Sequence, residues 1–154
     1  MFDITILAVG KIKEKHFAAG INEYLKRLKP YASLKVVELD SVSFSDTNRE
    51  KAKNEEGKKI IKYLDKNENK HIVILDEHGL DFTSHRFAEY LQELNKPIIF
   101  VIGGALGMSK EVLDRADYTM ALSQFTFPHE LARLVLVEQI YRAATIANNK
   151  TYHY

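Results

Sequence analysis

Five times along the 154 residues, a short apolar run gives way to a stretch whose apolar side chains recur at helical spacing. A strand that is apolar at nearly every position has no face to show to water, so it belongs inside a sheet covered on both sides. Such runs occupy residues 4–9, 34–39, 72–75, 98–102 and 118–122. Between them lie segments with one apolar helical face: Phe17, Ile21, Tyr24, Leu25 and Leu28 within 14–29, then Phe87, Tyr90, Leu91 and Leu94 after Thr83. Pro30 closes the first of these, because proline removes a donor and disfavours helix in the residue before it. Residues 41–48 are polar turn and cap formers and read as a loop. The helix predicted over 49–65 has its apolar residues, Ile60, Ile61 and Leu64, near its end, so its first half is expected in solvent. Ser109 can cap a short helix over 110–115. Pro128 suits the first position of a last helix that runs from His129 to residue 147. This alternation predicts an α/β domain with a mainly parallel sheet of five to six strands and helices on both faces.

The length fits one domain over residues 1–154, enough to bury roughly two-thirds of the unfolded surface without staples. No apolar run approaches the ~18 residues that cross a membrane, and the short run at 4–9 is preceded by Asp3 rather than by positive charge. With no secretion signal and no cysteine, a cytoplasmic protein is expected. The net charge is only +1, yet residues 1–70 carry 15 Lys and Arg against 11 Asp and Glu, while 71–154 carry 7 against 10. The lysines cluster at 11, 13 and 15, at 26 and 29, and at 51, 53, 58, 59 and 62. Bulk charge does not make this a nucleic-acid binder, and the clusters fit either a solvated face or a phosphate-binding patch.

In a parallel sheet, ligands bind beyond the carboxyl ends of the strands. Three predicted strands end there in loops with chemical content: DEHG (76–79), GGALG (103–107) and SQFTFPH (123–129). Glycines after a strand let a ligand approach the backbone and expose N–H groups, although a glycine pair also serves as an ordinary turn. Neither the G-x-x-x-x-G-K phosphate loop nor the G-x-G-x-x-G dinucleotide fingerprint is present. The six histidines show no metal-like spacing and no cysteine is available, so no metal site is expected. Glu138 and Arg142, four apart on the last helix, fit a surface ion pair, and Tyr152 and His153 fit a frayed end.

Three segments, VIGGALGMS, LSQFTFPHELARLVLVEQIYRA and the terminal TYHY, change that weighting. Together with VGKIKEKHFAAGINEYLKRL near the start, they resemble the SPOUT family of methyltransferases that modify N3 of a pseudouridine in 23S ribosomal RNA. The likeness spans nearly the whole chain. It implies a C-terminal trefoil knot, S-adenosylmethionine as methyl donor without a metal, and a homodimer whose active sites are completed across the interface. It also implies a partner in the large ribosomal subunit or assembled ribosome. By position, cofactor contacts fall at Leu75, Gly103, Leu122, Ser123, Gln124, Phe125, Thr126 and Phe127. His129, Glu138 and Arg142 would shape the substrate pocket, with Tyr152 and His153 over the base. The tail departs from the family pattern: Thr151 stands where a proline is common, and Tyr154 where a basic residue is. Two alternatives remain, a family enzyme acting on another RNA such as tRNA, and a non-catalytic nucleotide- or ribosome-binding module.

Overall fold

The computed structural model describes residues 1–154. It consists of β1 (Phe2–Val9), α1 (Lys15–Leu28), β2 (Ala32–Leu39), α2 (Arg49–Asp65), β3 (His71–Leu80), α3 (Ser84–Leu94), β4 (Ile98–Ile102), α4 (Lys110–Leu113), β5 (Tyr118–Met120) and α5 (His129–Ala147). The five strands form one sheet in the order β2-β1-β4-β3-β5, and every pairing is parallel. The apolar runs are the reason. β4 is buried at all five positions, and its side chains alternate between two cores as strand geometry requires.

Ile98, Phe100 and Ile102, with Ile4, Ile6 and Ala8 of β1, pack against α1, α3 and α5 through Ile21, Leu28, Phe87, Leu91, Leu136 and Ile140. Ile99 and Val101, with Leu7 and Val9, meet Ile60 and Leu64 of α2 and Val112 of α4 on the other face. The predicted cap at Ser109 forms, accepting from the Val112 amide, and Thr83 caps α3 by accepting from the Arg86 amide.

Three expectations need correction. The first half of α2 is not free in solvent, since Ala52, Glu56 and Gly57 are buried. Pro128 stands just outside α5 as its cap, and His129 is the first helical residue. The residues DEHG do not end the third strand, since β3 continues beyond them to Leu80. Leu75 and Leu80 both pair with Met120, so Asp76–Gly79 is looped out as a bulge. Gly79 is required there, because a Cβ would lie 2.7 Å from the Thr119 carbonyl oxygen and 2.8 Å from the Met120 carbonyl carbon.

Candidate functional site

A cleft of ≈ 940 Å³ opens at the carboxyl ends of β3, β4 and β5. Its three walls are the bulge 76–78, the glycine loop that follows β4, and the segment 122–129 that leads from β5 into α5. β4 lies between β1 and β3 although β3 precedes it in sequence, so the glycine loop emerges at the middle of the sheet. Within that loop the Gly107 amide donates to the Gly104 carbonyl, and Gly107 has φ +75°. That left-handed turn is strained for any residue with a side chain. Across the cleft, the Ser123 hydroxyl accepts the Phe125 amide at 3.0 Å. Thr126 donates to the Glu77 carboxylate, tying the 122–127 segment to the β3 bulge.

Of the residues expected to hold a cofactor, Leu75, Gly103, Leu122, Ser123, Phe125, Thr126 and Phe127 line this one cleft, and His129 lines it with them. Gln124 is exposed and does not line it. Glu77, Met108 and Pro128 also line it. Glu77 stands in the DEHG run, but a carboxylate there also fits a solvated turn until its partner Thr126, 49 positions away, is known.

His129 is seated by its neighbours on α5. Glu130 accepts the Lys13 and Glu14 amides at 2.6 and 3.0 Å, capping α1 from another helix. Those bonds, the Glu14 amide foremost, hold the Glu130 carboxyl below the usual carboxylate range. Buried Arg133 donates to the Gly10 carbonyl at 3.0 Å and to Glu38 at 3.1 Å. The β1–α1 connection is thereby fixed beside His129, and it carries the exposed Lys11 and Lys13.

The other four expected catalytic residues gather at the far half of α5. Glu138 Oε1 accepts from Arg142 at 2.6 and 3.1 Å and from the Tyr152 hydroxyl at 3.2 Å, while its Oε2 accepts from Gln139 at 2.5 Å. Tyr152 also meets the Tyr24 hydroxyl at 3.3 Å, stacks edge-on to Tyr141 and lies beneath the Arg142 guanidinium, 4.8 Å from its ring centre. Burial pushes the Tyr152 phenol up, and Tyr24 and Glu138 add to the shift, so it remains a neutral donor. Arg142 lies 3.2 Å from His153 Nδ1, and the His153 ring packs edge-on to His85. The tail is therefore docked rather than frayed. It is not docked at the cleft: at ~1.5 Å per residue, α5 carries Glu138 about 14 Å and Arg142 about 20 Å along its axis from His129.

No three His, Cys, Asp or Glu side chains are grouped to hold a metal ion, and no helix is long and apolar enough to cross a membrane. A family model described as "Predicted SPOUT methyltransferase" matches residues 2–153. A protein of Halothermothrix orenii named "Ribosomal RNA large subunit methyltransferase H" is 44% identical, over 97% of this chain and 98% of its own length. One of the same name from Carboxydothermus hydrogenoformans is 43% identical, over 98% and 99%. Among solved structures, "a probable methylase family protein" from Haemophilus influenzae superposes with a TM-score of 0.56 at 14% identity, covering 99% of this chain and 70% of that one.

Proposed function

Because the chain belongs to the SPOUT methyltransferase family, we propose that it transfers a methyl group from S-adenosylmethionine to N3 of a pseudouridine in 23S rRNA, on the large ribosomal subunit or the assembled ribosome. The observation that carries this reading is a cleft suited to an adenosyl cofactor joined by one helix to a separate, tightly bonded polar cluster. The relatives' names favour large-subunit ribosomal RNA over tRNA.

The cleft fits the cofactor. Leu75, Leu122 and Phe127 offer apolar surface for a planar base, and the loops at 103–107 and 122–127 bring backbone groups to its edge. A side chain at Gly107 would stand in open space, so the turn leaves room on the loop. Bound there, S-adenosylmethionine would supply a methyl carbon activated by its sulfonium. The protein must hold N3 toward that carbon and ease loss of the N3 proton. Glu138 already accepts from Arg142, Tyr152 and Gln139, so it orients Arg142 rather than serving as the base. Arg142 and His153 can donate to the two carbonyl oxygens that flank N3, where negative charge spreads as the proton leaves for solvent.

A single chain does not bring His129 and Arg142 together, because α5 separates them. A homodimer in which each tail cluster faces its partner's cleft does so. Half-buried Leu131 and Val135, and Phe125 at 81% exposure, supply apolar surface for that contact. The same reading gives the chain one domain, a trefoil knot in its last third, and a cytoplasmic place beside its ribosomal substrate. Lys11 and Lys13, beside His129, then face the RNA phosphates.

Mass mapping of ribosomal RNA from cells with and without the gene tests the proposal. One pseudouridine of 23S rRNA is expected to lose an N3 methyl with the gene. Intact 23S rRNA together with a methyl missing from a tRNA overturns the ribosomal assignment.

A further inference from the structure

The N-terminal half of α2, which the sequence pattern leaves in solvent, holds a buried ionisable group directly behind the glycine loop. Glu56 is 4% exposed, and its Oε2 is buried with no hydrogen-bond partner. A Cβ built on Gly104 would lie 3.1 Å from that oxygen, 3.6 Å from Oε1 and 3.2 Å from Val9. The carboxyl group therefore presses on one side of Gly104, whose residue lines the cleft on the other. A side chain at 104 would drive into it. The packing continues at the next residue, since a Cβ on Gly57 would lie 2.5 Å from the Ser109 hydroxyl.

A carboxylate left without a donor in the interior is expensive unless it is protonated or meets positive charge. Burial holds the Glu56 carboxyl above the usual carboxylate range, with the Val42 amide and then Lys59 drawing it back. Lys59 does not bond to it, donating instead to the Asp40 carbonyl at 2.8 Å, and acts on it through charge alone. Val9 of β1 and Gly104 of the loop bring no charge to it. One carboxylate oxygen of Glu56 is thus left without a donor behind the glycine loop, with Lys59 drawing on its charge from the same helix.

We propose that Glu56 is a positioning residue for the methyl donor, acting through Gly104 as the counter-charge by which the cleft prefers a cationic sulfonium cofactor to its neutral thioether product. This rests on the S-adenosylmethionine reading above. The donor carries a net positive charge from its sulfonium. Once the methyl has left, the sulfur keeps the bonding electron pair and that charge is gone. An ionised Glu56 favours the first state and is indifferent to the second. Where Glu56 is protonated, donor binding then expels that proton, and product release is aided as the attraction disappears.

Calorimetry of donor and product binding, in two buffers of different ionisation enthalpy between about pH 5 and pH 8, tests this on the unaltered protein. Proton release is expected with S-adenosylmethionine, growing toward acid, and none with S-adenosylhomocysteine. Glu56→Gln, nearly isosteric, is expected to abolish the release and to weaken the donor about tenfold, with product affinity unchanged. Equal weakening of both ligands by Glu56→Gln identifies a purely structural role and overturns the inference, as does donor binding without proton release in the unaltered protein. Absence of any donor binding overturns the cofactor reading as well, so the two failures are distinguishable.

Discussion

Arginine has no hydrogen-bond acceptor, so the 3.2 Å contact between Arg142 and His153 assigns the bond: Arg142 donates and Nδ1 accepts. The His153 proton then resides on Nε2, and the ring offers a donor rather than a base to whatever it meets. Its replacement by alanine is expected to lower methyl transfer to ribosomes about a hundredfold, the lower range for a lost donor to developing negative charge, with donor affinity intact. A transfer rate equal to the unaltered enzyme removes His153 from the reaction. Glu56 makes a separate prediction about stability. Its folded carboxyl titrates above the ordinary 4.5, so the folded chain keeps a proton that the unfolded chain gives up. The stability this contributes is full below 4.5 and is lost as pH rises through the raised value. Thermal melts of Glu56→Gln against the unaltered chain should show the variant gaining relative stability across that window and then levelling. A difference that stays constant with pH excludes the buried titration. Sequence reading did not find Glu56, because in the run NEEGKK it stands among polar neighbours and its burial depends on Gly104 and Ser109, both brought to it by other elements.

At the level of elements, the alternation of apolar runs and helical faces was legible, because both periods are local. All five strands form near their expected positions, and so does the cap at Ser109. What was illegible depended on contact at a distance. The β3 bulge appears polar and turn-like in sequence, and only its pairing on either side with Met120 makes it part of a strand. Gly79 is the hinge of that arrangement, since its Cα approaches the β5 backbone too closely for a side chain. Gly79→Ala is expected to destabilise the fold by about 2–3 kcal/mol, or roughly 5–10 °C in Tm, by forcing β5 outward. Because β5 leads into the 122–127 segment, donor affinity should fall with it. An unchanged melting temperature would mean that the bulge yields without strain.

For the whole molecule, the expected site residues divide between two places, and sequence alone gave no reason to separate them. VIGGALGMS and LSQFTFPH meet in one cleft, whereas EQIYRA and TYHY meet at the other half of α5. The family resemblance supplied the expected residues, and the length of α5 divides them. If two chains complete each site, mixing His129→Ala with Arg142→Ala chains should restore activity that neither has alone. Half of the randomly paired dimers are then mixed, each with one intact site, giving about a quarter of full activity. No recovery on mixing would place both residues in one subunit's site.

The unbroken run of α5 from His129 to Ala147 also limits how such a chain can change its length. Adding one residue between His129 and Glu138 would turn everything beyond it by ~100° and advance it by ~1.5 Å. The cluster of Glu138, Arg142, Tyr152 and His153 would turn as one body away from Tyr24 and His85 and lose its register with the cleft. Loops such as 41–48 and 66–70 can absorb an insertion locally. The last helix therefore serves as a gauge between two chemical stations, and chains that keep this reaction should vary in length everywhere except along it.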